Sequence, residues 1–358
     1  MTVSPILPQS TQPHTSSPPT DKPWRETPLI ESEKLSKAAG CRILLKLDSL
    51  QPSGSFKIRG LGHFILKTYQ TSPHPESLHF FSSSGGNAGL AAVHASNFVS
   101  RPCTVVVPLS TKPHMIEKLK AAGAKDVIQK GKSWKEADAY MRDIVMKKCV
   151  EEKGEVVVGV HPFDDEDVWE GHSTLIEEIG RQMGEKEVPD WIICSVGGGG
   201  LFSGIMEGIQ KQGEEWKGKT KVLVVETRGA DALNKSLEKG ELVTLDGITS
   251  MATSLGATRV CDRAFTLATQ GLKGGKVHSI VLSDAEAAMG CVKLKDDEKI
   301  LVEAACGVNT ALCYGGRLEK AFGRPPRKDE IVVIEVCGGS NISVEIIEEW
   351  RREFGHLV

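Results

Sequence analysis

One lysine in this sequence stands where a turn gives way to a helix. Lys57 follows the turn residues PSGS at positions 52–55 and opens a helical pattern over residues 57–69. Its amine is therefore expected at the mouth of a site. Most lysines are solvated surface residues, so this one becomes significant only together with the segments described next.

A run of four glycines is the second chemical feature. Gly197, Gly198, Gly199 and Gly200 follow a predicted buried strand and precede a helix that begins at Leu201. Glycines leave backbone N–H groups free to converge on a phosphate, and a helix N-terminus adds positive potential. The spacing matches neither the G-x-G-x-x-G dinucleotide fingerprint nor the G-x-x-x-x-G-K-[ST] loop. The run indicates a cradle for the phosphate of a small cofactor, with an ordinary tight turn as the alternative.

The sequence SSSGGNAG at residues 82–89 leads into an alanine-rich helical pattern. Free N–H groups at a helix N-terminus suit a carboxylate, and the amide of Asn87 can bind a phenolic oxygen. The alternative is a strand–helix turn in which Asn or Ser caps the helix.

Cys337 closes a predicted strand and precedes Gly338 and Gly339. Most cysteines in such places are small core residues. Beside a pyridine nitrogen, an uncharged thiol would leave the ring unprotonated, whereas a carboxylate would favour the protonated ring. A reactive amine, a phosphate cradle and an Asn-containing loop together indicate pyridoxal phosphate held as a Schiff base on Lys57.

The elements that must position these residues alternate along the chain. Short apolar, β-branched runs predict strands at residues 43–47, 78–82, 104–107, 156–160, 191–196, 222–226 and 331–336. Helical patterns lie between and after them, at residues 57–69, 87–98, 115–122, 134–148, 173–183, 201–212, 284–294, 309–321 and 342–354. This alternation predicts a doubly wound α/β architecture with parallel sheets. The three glycine-containing segments then fall at carboxyl ends of strands, where such sheets bind ligands.

Composition limits the function classes. The 358 residues suffice for two domains, and the net charge of -3 gives no reason to expect nucleic acid or an anionic membrane as partner. No apolar run approaches the length of a membrane span. Nine cysteines without a CxxC pair indicate reduced thiols in a cytosol-like compartment.

Residues 1–23 are rich in Ser, Thr and Pro, and we expect this tail to be disordered. It resembles a mitochondrial presequence in its Ser content but contains no Arg, so we expect a cytoplasmic protein, with a mitochondrial location as the alternative.

With these motifs in view, the chain resembles the catabolic, fungal-type serine/threonine dehydratases (L-serine ammonia-lyases) of the fold-type II, tryptophan-synthase-β-like pyridoxal-phosphate family. The resemblance extends from about Thr27 to near the C-terminus and rests on GSFKIRG, SSSGGNAG, HPFDD, SVGGGGL, VETRGA, TSLGA and CGGSNIS. It implies two doubly wound domains: a large cofactor-binding domain of residues 24–50 and 160–358, and a small domain of residues 51–159. It also implies a homodimer and α,β-elimination of an amino acid, giving pyruvate and ammonia from L-serine or 2-oxobutanoate and ammonia from L-threonine.

The resemblance assigns cofactor contacts residue by residue. Lys57 matches the Schiff-base lysine, Phe56 the aromatic residue on the cofactor ring, and Ser254 a partner on its other face. Residues 197–201 match the phosphate loop. Asn87 matches the ligand of the phenolic oxygen and Cys337 the partner of the pyridine nitrogen.

The remaining assignments concern the substrate and a cation. Ser84, Gly85 and Asn87 lie in the loop that matches the binding site for the substrate carboxylate. The monovalent-cation site of the family, which takes K⁺, is matched by Glu226, Ala230, Leu255 and Ala257.

One position carries a different residue from that found in related enzymes. Gly85 stands where some animal serine dehydratases have Ala and where serine racemases have a Ser that acts as a second base. Its absence argues against efficient racemisation. The chain ends shortly after CGGSN, so we also expect no C-terminal amino-acid-sensing domain and no feedback inhibition by isoleucine.

Three alternatives remain open at this point. A threonine-preferring deaminase or a β-replacement synthase would share the fold and the lysine. A non-catalytic pyridoxal-phosphate-binding protein is disfavoured because every matched catalytic position is intact. A nicotinamide-dependent dehydrogenase is disfavoured because the glycine fingerprint fails.

Overall fold

The computed structural model describes residues 21–184 and 187–357 of the chain. The predicted tail, residues 1–23, lies outside the described residues apart from its last three. The strands in the described part are β1 (Leu29–Glu31), β2 (Arg42–Lys46), β3 (Leu78–Ser82), β4 (Cys103–Val107), β5 (Asp126–Gln129), β6 (Val156–Gly159), β7 (Trp191–Ser195), β8 (Lys221–Thr227), β9 (Val277–Leu282) and β10 (Ile331–Glu335).

Helices connect most of these strands. They are α1 (Glu33–Ala39), α2 (Lys57–Thr71), α3 (Asn87–Phe98), α4 (Pro113–Ala121), α5 (Trp134–Tyr140), α6 (Lys147–Lys153), α7 (Glu166–Met183), α8 (Gly200–Lys211), α9 (Glu214–Lys219), α10 (Ala232–Lys239), α11 (Asp262–Lys273), α12 (Asp284–Glu298), α13 (Ala304–Ala311), α14 (Arg317–Phe322) and α15 (Val344–Phe354). A π-helical segment, Met141–Met146, joins α5 to α6. In the described part of the chain, none of these helices is long and apolar enough to cross a membrane.

Two sheets organise the molecule. The six-stranded sheet has the order β1-β2-β10-β7-β8-β9, and the four-stranded sheet has the order β5-β4-β3-β6. All pairs are parallel except β1 with β2, where Leu29 lies opposite Lys46 in antiparallel register. The predicted α/β class is confirmed, and the antiparallel edge strand is the one departure from parallel pairing. The strands β2, β3, β4, β7, β8 and β10 are almost wholly buried, as expected for strands covered on both faces.

The neighbouring strands β7 and β10 lead into the two glycine-containing turns of the six-stranded sheet. β7 ends at Ser195, just before the four glycines, and β10 ends at Glu335, just before Cys337. Because the two strands are parallel and adjacent, their carboxyl ends present these turns side by side.

One predicted helix is wrong in its extent. The pattern over residues 309–321 predicted a single helix, but α13 ends at Ala311 and α14 begins at Arg317. Gly315 and Gly316 separate them with φ of 63° and 71°. A right-handed helix cannot continue through left-handed backbone, so the pattern breaks there.

A buried ion network anchors the start of α2 to the six-stranded sheet. Arg59 donates to Asp48 at 2.6 Å and to Glu178 at 2.7 Å. Lys46 of β2 contacts the same Glu178 at 2.7 Å. All four side chains are buried, and removing one member would leave the others with uncompensated charge. The network therefore fixes where α2, and with it Lys57, lies on α7 and β2.

Candidate active site

The turn before Lys57 and the turn after β10 are bonded to each other through their backbones. The N–H of Phe56 donates to the carbonyl of Cys337 at 3.1 Å, and the N–H of Gly339 donates to the carbonyl of Gly54 at 2.9 Å. Gly338 has a φ of 83°, and a Cβ there would lie 2.4 Å from the carbonyl oxygen of Gly54. Only glycine allows this approach, so the CGG sequence is what brings the thiol and the lysine to one place.

The amine of Lys57 lies in a desolvated position. Its Nζ donates to the carbonyl of Pro162 at 2.8 Å and lies 5.2 Å from the centre of the Phe56 ring. Burial lowers the pKa of Lys57 to about 8. About one tenth of this amine is therefore uncharged at pH 7, and this free amine is the form that acts as a nucleophile or base.

Two uncharged histidines lie near Lys57 and Phe56. His172 is fully buried, its ring centre lies 5.1 Å from that of Phe56, and neither ring nitrogen has a hydrogen-bond partner in the part of the chain that is described. Burial holds the pKa of His172 well below its usual value. Burial and the nearby charge of Arg142 lower the pKa of His161 to about 4. The walls around the amine are thus neutral at pH 7. No sequence motif indicated His172, which lies one position before the helix predicted over residues 173–183.

The four glycines form a turn that no larger residue could replace. A Cβ on Gly198 would lie 2.3 Å from the ring of Phe163, and one on Gly200 would lie 2.7 Å from the carbonyl oxygen of Phe163. Gly199 has a φ of 93°, and its Cβ would lie 2.3 Å from that of Ala264. The turn opens α8, whose first N–H groups have no acceptor within the helix. Free N–H groups and a helix dipole make this turn an anion site.

Asn87 contacts a glutamate that sequence reasoning missed. Its Nδ2 donates to Glu303 at 3.2 Å and to Ser254 at 3.3 Å, and its Oδ1 accepts from the N–H and hydroxyl of Ser340, both at 3.0 Å. Glu303 is buried and also accepts from the N–H of Asn341 at 2.7 Å and from the hydroxyl of Ser254. The predicted residues Asn87 and Ser254 are therefore brought together, with Glu303 as the acceptor between them.

The loop before α3 depends on two close approaches. A Cβ on Gly89 would lie 1.9 Å from the carbonyl oxygen of Ser84, so a glycine in the first turn of α3 lets the loop pack on the helix. The hydroxyl of Ser84 accepts from the N–H of Gly86 at 3.3 Å. A Cβ on Gly85 would lie 2.8 Å from Cγ2 of Thr111. The space beside Gly85 is thus already filled by Thr111, which no sequence motif indicated.

Cys337 presents a buried thiol. The Ser195 hydroxyl oxygen lies 3.7 Å from its Sγ, and Nδ2 of Asn309 lies 4.0 Å away. The neighbouring thiol of Cys306 and burial together hold the pKa of Cys337 well above its usual value. The thiol is therefore uncharged at any pH at which the protein works.

The predicted cation ligands lie in two turns of the six-stranded sheet. Glu226 lies near the end of β8 and Ala230 in the turn that follows it, and Leu255 and Ala257 lie in the segment that precedes α11. The carbonyl of Leu255 accepts from the N–H of Ala257 at 2.8 Å, and Leu255 packs on Gly197, whose Cβ would lie 3.0 Å from its Cα. The second turn therefore backs directly onto the glycine loop.

The carboxyl group of Glu226 is already engaged. It accepts from the N–H groups of Leu233 at 2.9 Å and Asn234 at 2.7 Å, which open α10. Burial raises the pKa of Glu226 to about 8 despite these bonds. A cation near this carboxylate would relieve the cost of its buried charge.

The residues present fit pyridoxal phosphate, the cofactor expected from the sequence. The desolvated amine of Lys57 suits an aldehyde, and the glycine turn at the start of α8 suits a phosphate. Asn87 and the uncharged thiol of Cys337 offer partners for a phenolic oxygen and a pyridine nitrogen. Lys57, residues 197–201, Asn87 and Cys337 would hold the group, with Phe56 beside the amine.

Comparison with known proteins gives consistent matches. Residues 21–338 match the family described as pyridoxal-phosphate dependent enzyme. The chain is 43% identical over 329 residues to an L-serine dehydratase from Saccharomyces cerevisiae (strain AWRI1631), covering 90% of this chain and 95% of that protein. It is 39% identical over 333 residues to the catabolic L-serine/threonine dehydratase of Saccharomyces cerevisiae (strain ATCC 204508 / S288c), covering 91% of this chain and 90% of that protein. The crystal structure of a fungal L-serine ammonia-lyase from Rhizomucor miehei matches with a TM-score of 0.80 at 31% identity, covering 93% of this chain and 100% of that chain.

Proposed function

This chain belongs to the pyridoxal-phosphate-dependent enzyme family, and we propose that it is an L-serine ammonia-lyase that also accepts L-threonine. L-serine gives pyruvate and ammonia, and L-threonine gives 2-oxobutanoate and ammonia. Relatives named for these substrates are similar over nine tenths of the chain. The observation that carries the proposal is the backbone bond between Phe56 and Cys337, which joins the residue before a desolvated lysine to the residue that bears an uncharged thiol.

Pyridoxal phosphate, when bound, supplies a conjugated ring that takes up the electron pair left after loss of the substrate α-proton. Lys57 is the base for that proton, because a pKa of about 8 makes the free amine available near neutral pH and still basic. The thiol of Cys337 carries no charge and would leave a neighbouring ring nitrogen without a proton. Lys57 is the single base of the scheme because Gly85 offers no hydroxyl as a second one.

The loop before α3 would bind the substrate carboxylate. The first N–H groups of α3 and the hydroxyl of Ser84 would donate hydrogen bonds to this carboxylate. Asn87, held on both sides by Ser340 and Glu303, would orient the cofactor rather than the carboxylate.

A steady-state assay tests the function. Ammonia and oxoacid release would be measured with L-serine, L-threonine and D-serine, without an added nucleophile and then with sulfide. We expect equal amounts of ammonia and pyruvate from L-serine, a measurable rate with L-threonine, and little with D-serine. Formation of cysteine from L-serine plus sulfide, without pyruvate release, would instead identify a β-replacement synthase. Cofactor absorbance without ammonia from L-serine or L-threonine would identify a non-catalytic binding protein.

Two finer features complete the proposal. A K⁺ ion at Glu226, Ala230, Leu255 and Ala257 would support the glycine loop, because Leu255 packs on Gly197. Replacing K⁺ by Na⁺ should then lower thermal stability and turnover of the wild type more than those of a Glu226→Gln variant. Residues 24–50 with 160–358, and residues 51–159, form the two proposed domains, which the distribution of strands between the two sheets supports.

The assembly and location are also proposed on the resemblance. A homodimer is the expected state, to be checked by light scattering of the holoenzyme. We place the protein in the cytoplasm and its reaction in amino-acid catabolism that feeds gluconeogenesis. Fluorescence microscopy of the tagged full chain would distinguish this from a mitochondrial location.

A further inference from the structure

A second group of chemically active side chains lies near the amino-terminal ends of strands β3 and β6 of the four-stranded sheet. Nδ1 of His79, Sγ of Cys149 and a carboxylate oxygen of Glu155 all lie within 4.8 Å of one another. His79 is near the start of β3, Cys149 is in α6, and Glu155 immediately precedes β6. The substrate-binding loop begins where β3 ends. This group is therefore separate from the site around Lys57.

The imidazole of this group is held in one orientation. His79 is 1% exposed, its Nε2 lies 2.9 Å from the hydroxyl oxygen of Thr104, and its Nδ1 lies 2.6 Å from Glu155. The 2.6 Å contact requires a proton on Nδ1, which donates to Glu155. Release of that proton on metal binding, with Nε2–H then donating to Thr104, would free the Nδ1 lone pair for the ion. Outer partners of this kind fix the tautomer of metal-binding histidines.

We propose that His79, Cys149 and Glu155 bind a Zn²⁺ ion. Imidazole nitrogen, thiolate sulfur and carboxylate oxygen are the donors that zinc takes in proteins, and three protein ligands leave a fourth position for water. The two anionic ligands balance the charge of the ion. A thiolate in the set favours zinc over magnesium or calcium, which take oxygen ligands.

The geometry needs only a small adjustment. Tetrahedral bonds of about 2.0–2.3 Å place neighbouring ligand atoms about 3.3–3.6 Å apart. The contact between His79 and Glu155, now 2.6 Å, must open by about 1 Å. Cys149, whose Sγ lies within 4.8 Å of both other ligand atoms, must approach by up to about 1.5 Å. Lys125, which contacts Glu155 at 3.3 Å, is exposed and can turn away. The ion would tie α6, which follows the π-helical segment, to β3 and β6.

A second group of possible ligands is less suited and serves as the control. His63, Asp167 and Glu170 also lie within reach of one another. There, however, no sulfur ligand is present, and the ammonium of Lys67 bridges both carboxylates, at 2.5 Å from Asp167 and 3.2 Å from Glu170, whereas Lys125 contacts Glu155 alone. A Glu170→Gln variant should leave zinc binding unchanged.

Cobalt substitution tests the proposal with a readout independent of catalysis. The tag-free holoenzyme would be dialysed against a chelator and titrated with Co²⁺. We expect one equivalent to bind with a thiolate-to-cobalt charge-transfer band in the near ultraviolet, which Zn²⁺ then removes. Cys149→Ser should abolish the band, and Glu155→Gln should weaken Zn²⁺ binding at least tenfold in competition with a chromophoric chelator. The Glu170→Gln variant should behave as the wild type.

Three results would overturn the site: no charge-transfer band in the wild type, an unchanged band in Cys149→Ser, or equal zinc affinity in Glu155→Gln and the wild type. Far-ultraviolet circular dichroism of each variant establishes that it is folded. If Cys149→Ser does not fold, X-ray absorption of the zinc-loaded wild type decides the question. One sulfur together with nitrogen and oxygen ligands supports the site, and a shell without sulfur refutes it.

Discussion

The backbone N–H of Phe56 donates to the carbonyl of Cys337 across 3.1 Å, although 281 positions in the sequence separate the two residues (337 − 56). This bond joins the residue before the proposed base to the proposed partner of the ring nitrogen. The two turns that carry them are thus held together at the six-stranded sheet.

Replacement of Lys57 tests its role as the base. Lys57→Arg keeps a positive charge and a donor for the carbonyl of Pro162, but a guanidinium does not give up its proton at working pH. We expect ammonia release from L-serine to fall by about 10³-fold. Retention of bound cofactor, measured by absorbance after gel filtration, separates lost chemistry from lost binding. Turnover within tenfold of the wild type would rule out Lys57 as the base.

Glu303 should control the affinity for the cofactor through Asn87. In a Glu303→Gln variant the side-chain amide would face Nδ2 of Asn87 with a donor where a carboxylate oxygen accepted. A lost buried hydrogen bond of this kind costs about 1–3 kcal/mol, so the Kd for pyridoxal phosphate should rise by about 10- to 100-fold. Fluorescence titration of the apoenzyme measures it. Ser254→Ala, which removes one of the donors to Glu303, should have a smaller effect.

The packing of Gly85 against Thr111 predicts what happens when a serine is introduced at position 85 as a second base. Gly85→Ser would place Cβ 2.8 Å from Cγ2 of Thr111, and overpacking of this kind costs about 1–3 kcal/mol. We expect Gly85→Ser alone to lower turnover without forming D-serine. Thr111→Ala should restore turnover in the double variant and allow slow racemisation, which chiral chromatography detects. Equal behaviour of the single and double variants would contradict the proposed contact.

The buried ion network should be essential for stability. Arg59→Met leaves Asp48 and Glu178 buried without their main partner, and breaking such a pair costs about 3–5 kcal/mol. Arg142→Met, which breaks the exposed pair with Asp138, should cost less than about 1 kcal/mol. Urea denaturation of both variants measures the two losses. Similar losses in the two variants would show that the network is not what holds α2.

His161 should make the protein less stable in acid. Its pKa is lowered to about 4 in the folded protein, against about 6.5 when unfolded, so the unfolded chain binds the proton more readily between these values. The free energy of unfolding therefore falls as the pH drops from 6.5 to 4, by up to about 3 kcal/mol from this group. In His161→Asn that part of the pH dependence should vanish, whereas the exposed His74→Asn should retain it. Denaturation curves at several pH values provide the comparison.

The sequence identified those site residues that lie in compact motifs. Lys57, the four glycines and Cys337 are each recognisable from a few neighbouring residues in the sequence. The structure places each of them near a strand end or at a helix start. Glu303 was not predicted as a site residue, because its partner Asn87 lies 216 positions away and nothing near Glu303 in the chain indicates the contact. His172 was not predicted because it lies outside the recognised motifs and one position before the helix predicted over residues 173–183.

The missed elements share a physical cause. The strands β1, β5 and β9, which were not predicted, all lie at sheet edges. Edge strands are partly exposed, so polar residues interrupt the apolar runs by which the central strands were recognised. The helices α1, α9 and α10 were also missed, and they span only 6 to 8 residues. Two or so turns carry too few repeats of the helical period to stand out. The exception is α11, which was missed although it spans 12 residues.

The loop before α3 is attached to β3 of the four-stranded sheet, whereas the turns that bear Lys57 and Cys337 are bonded to each other on the six-stranded sheet. The proposed carboxylate-binding loop and the proposed base thus rest on different supports. Asn87, at the end of that loop, is nevertheless bonded to Glu303 and Ser340. Exchange of residues 82–86 with Asn87 retained is therefore the change that alters the proposed substrate contacts while keeping these bonds.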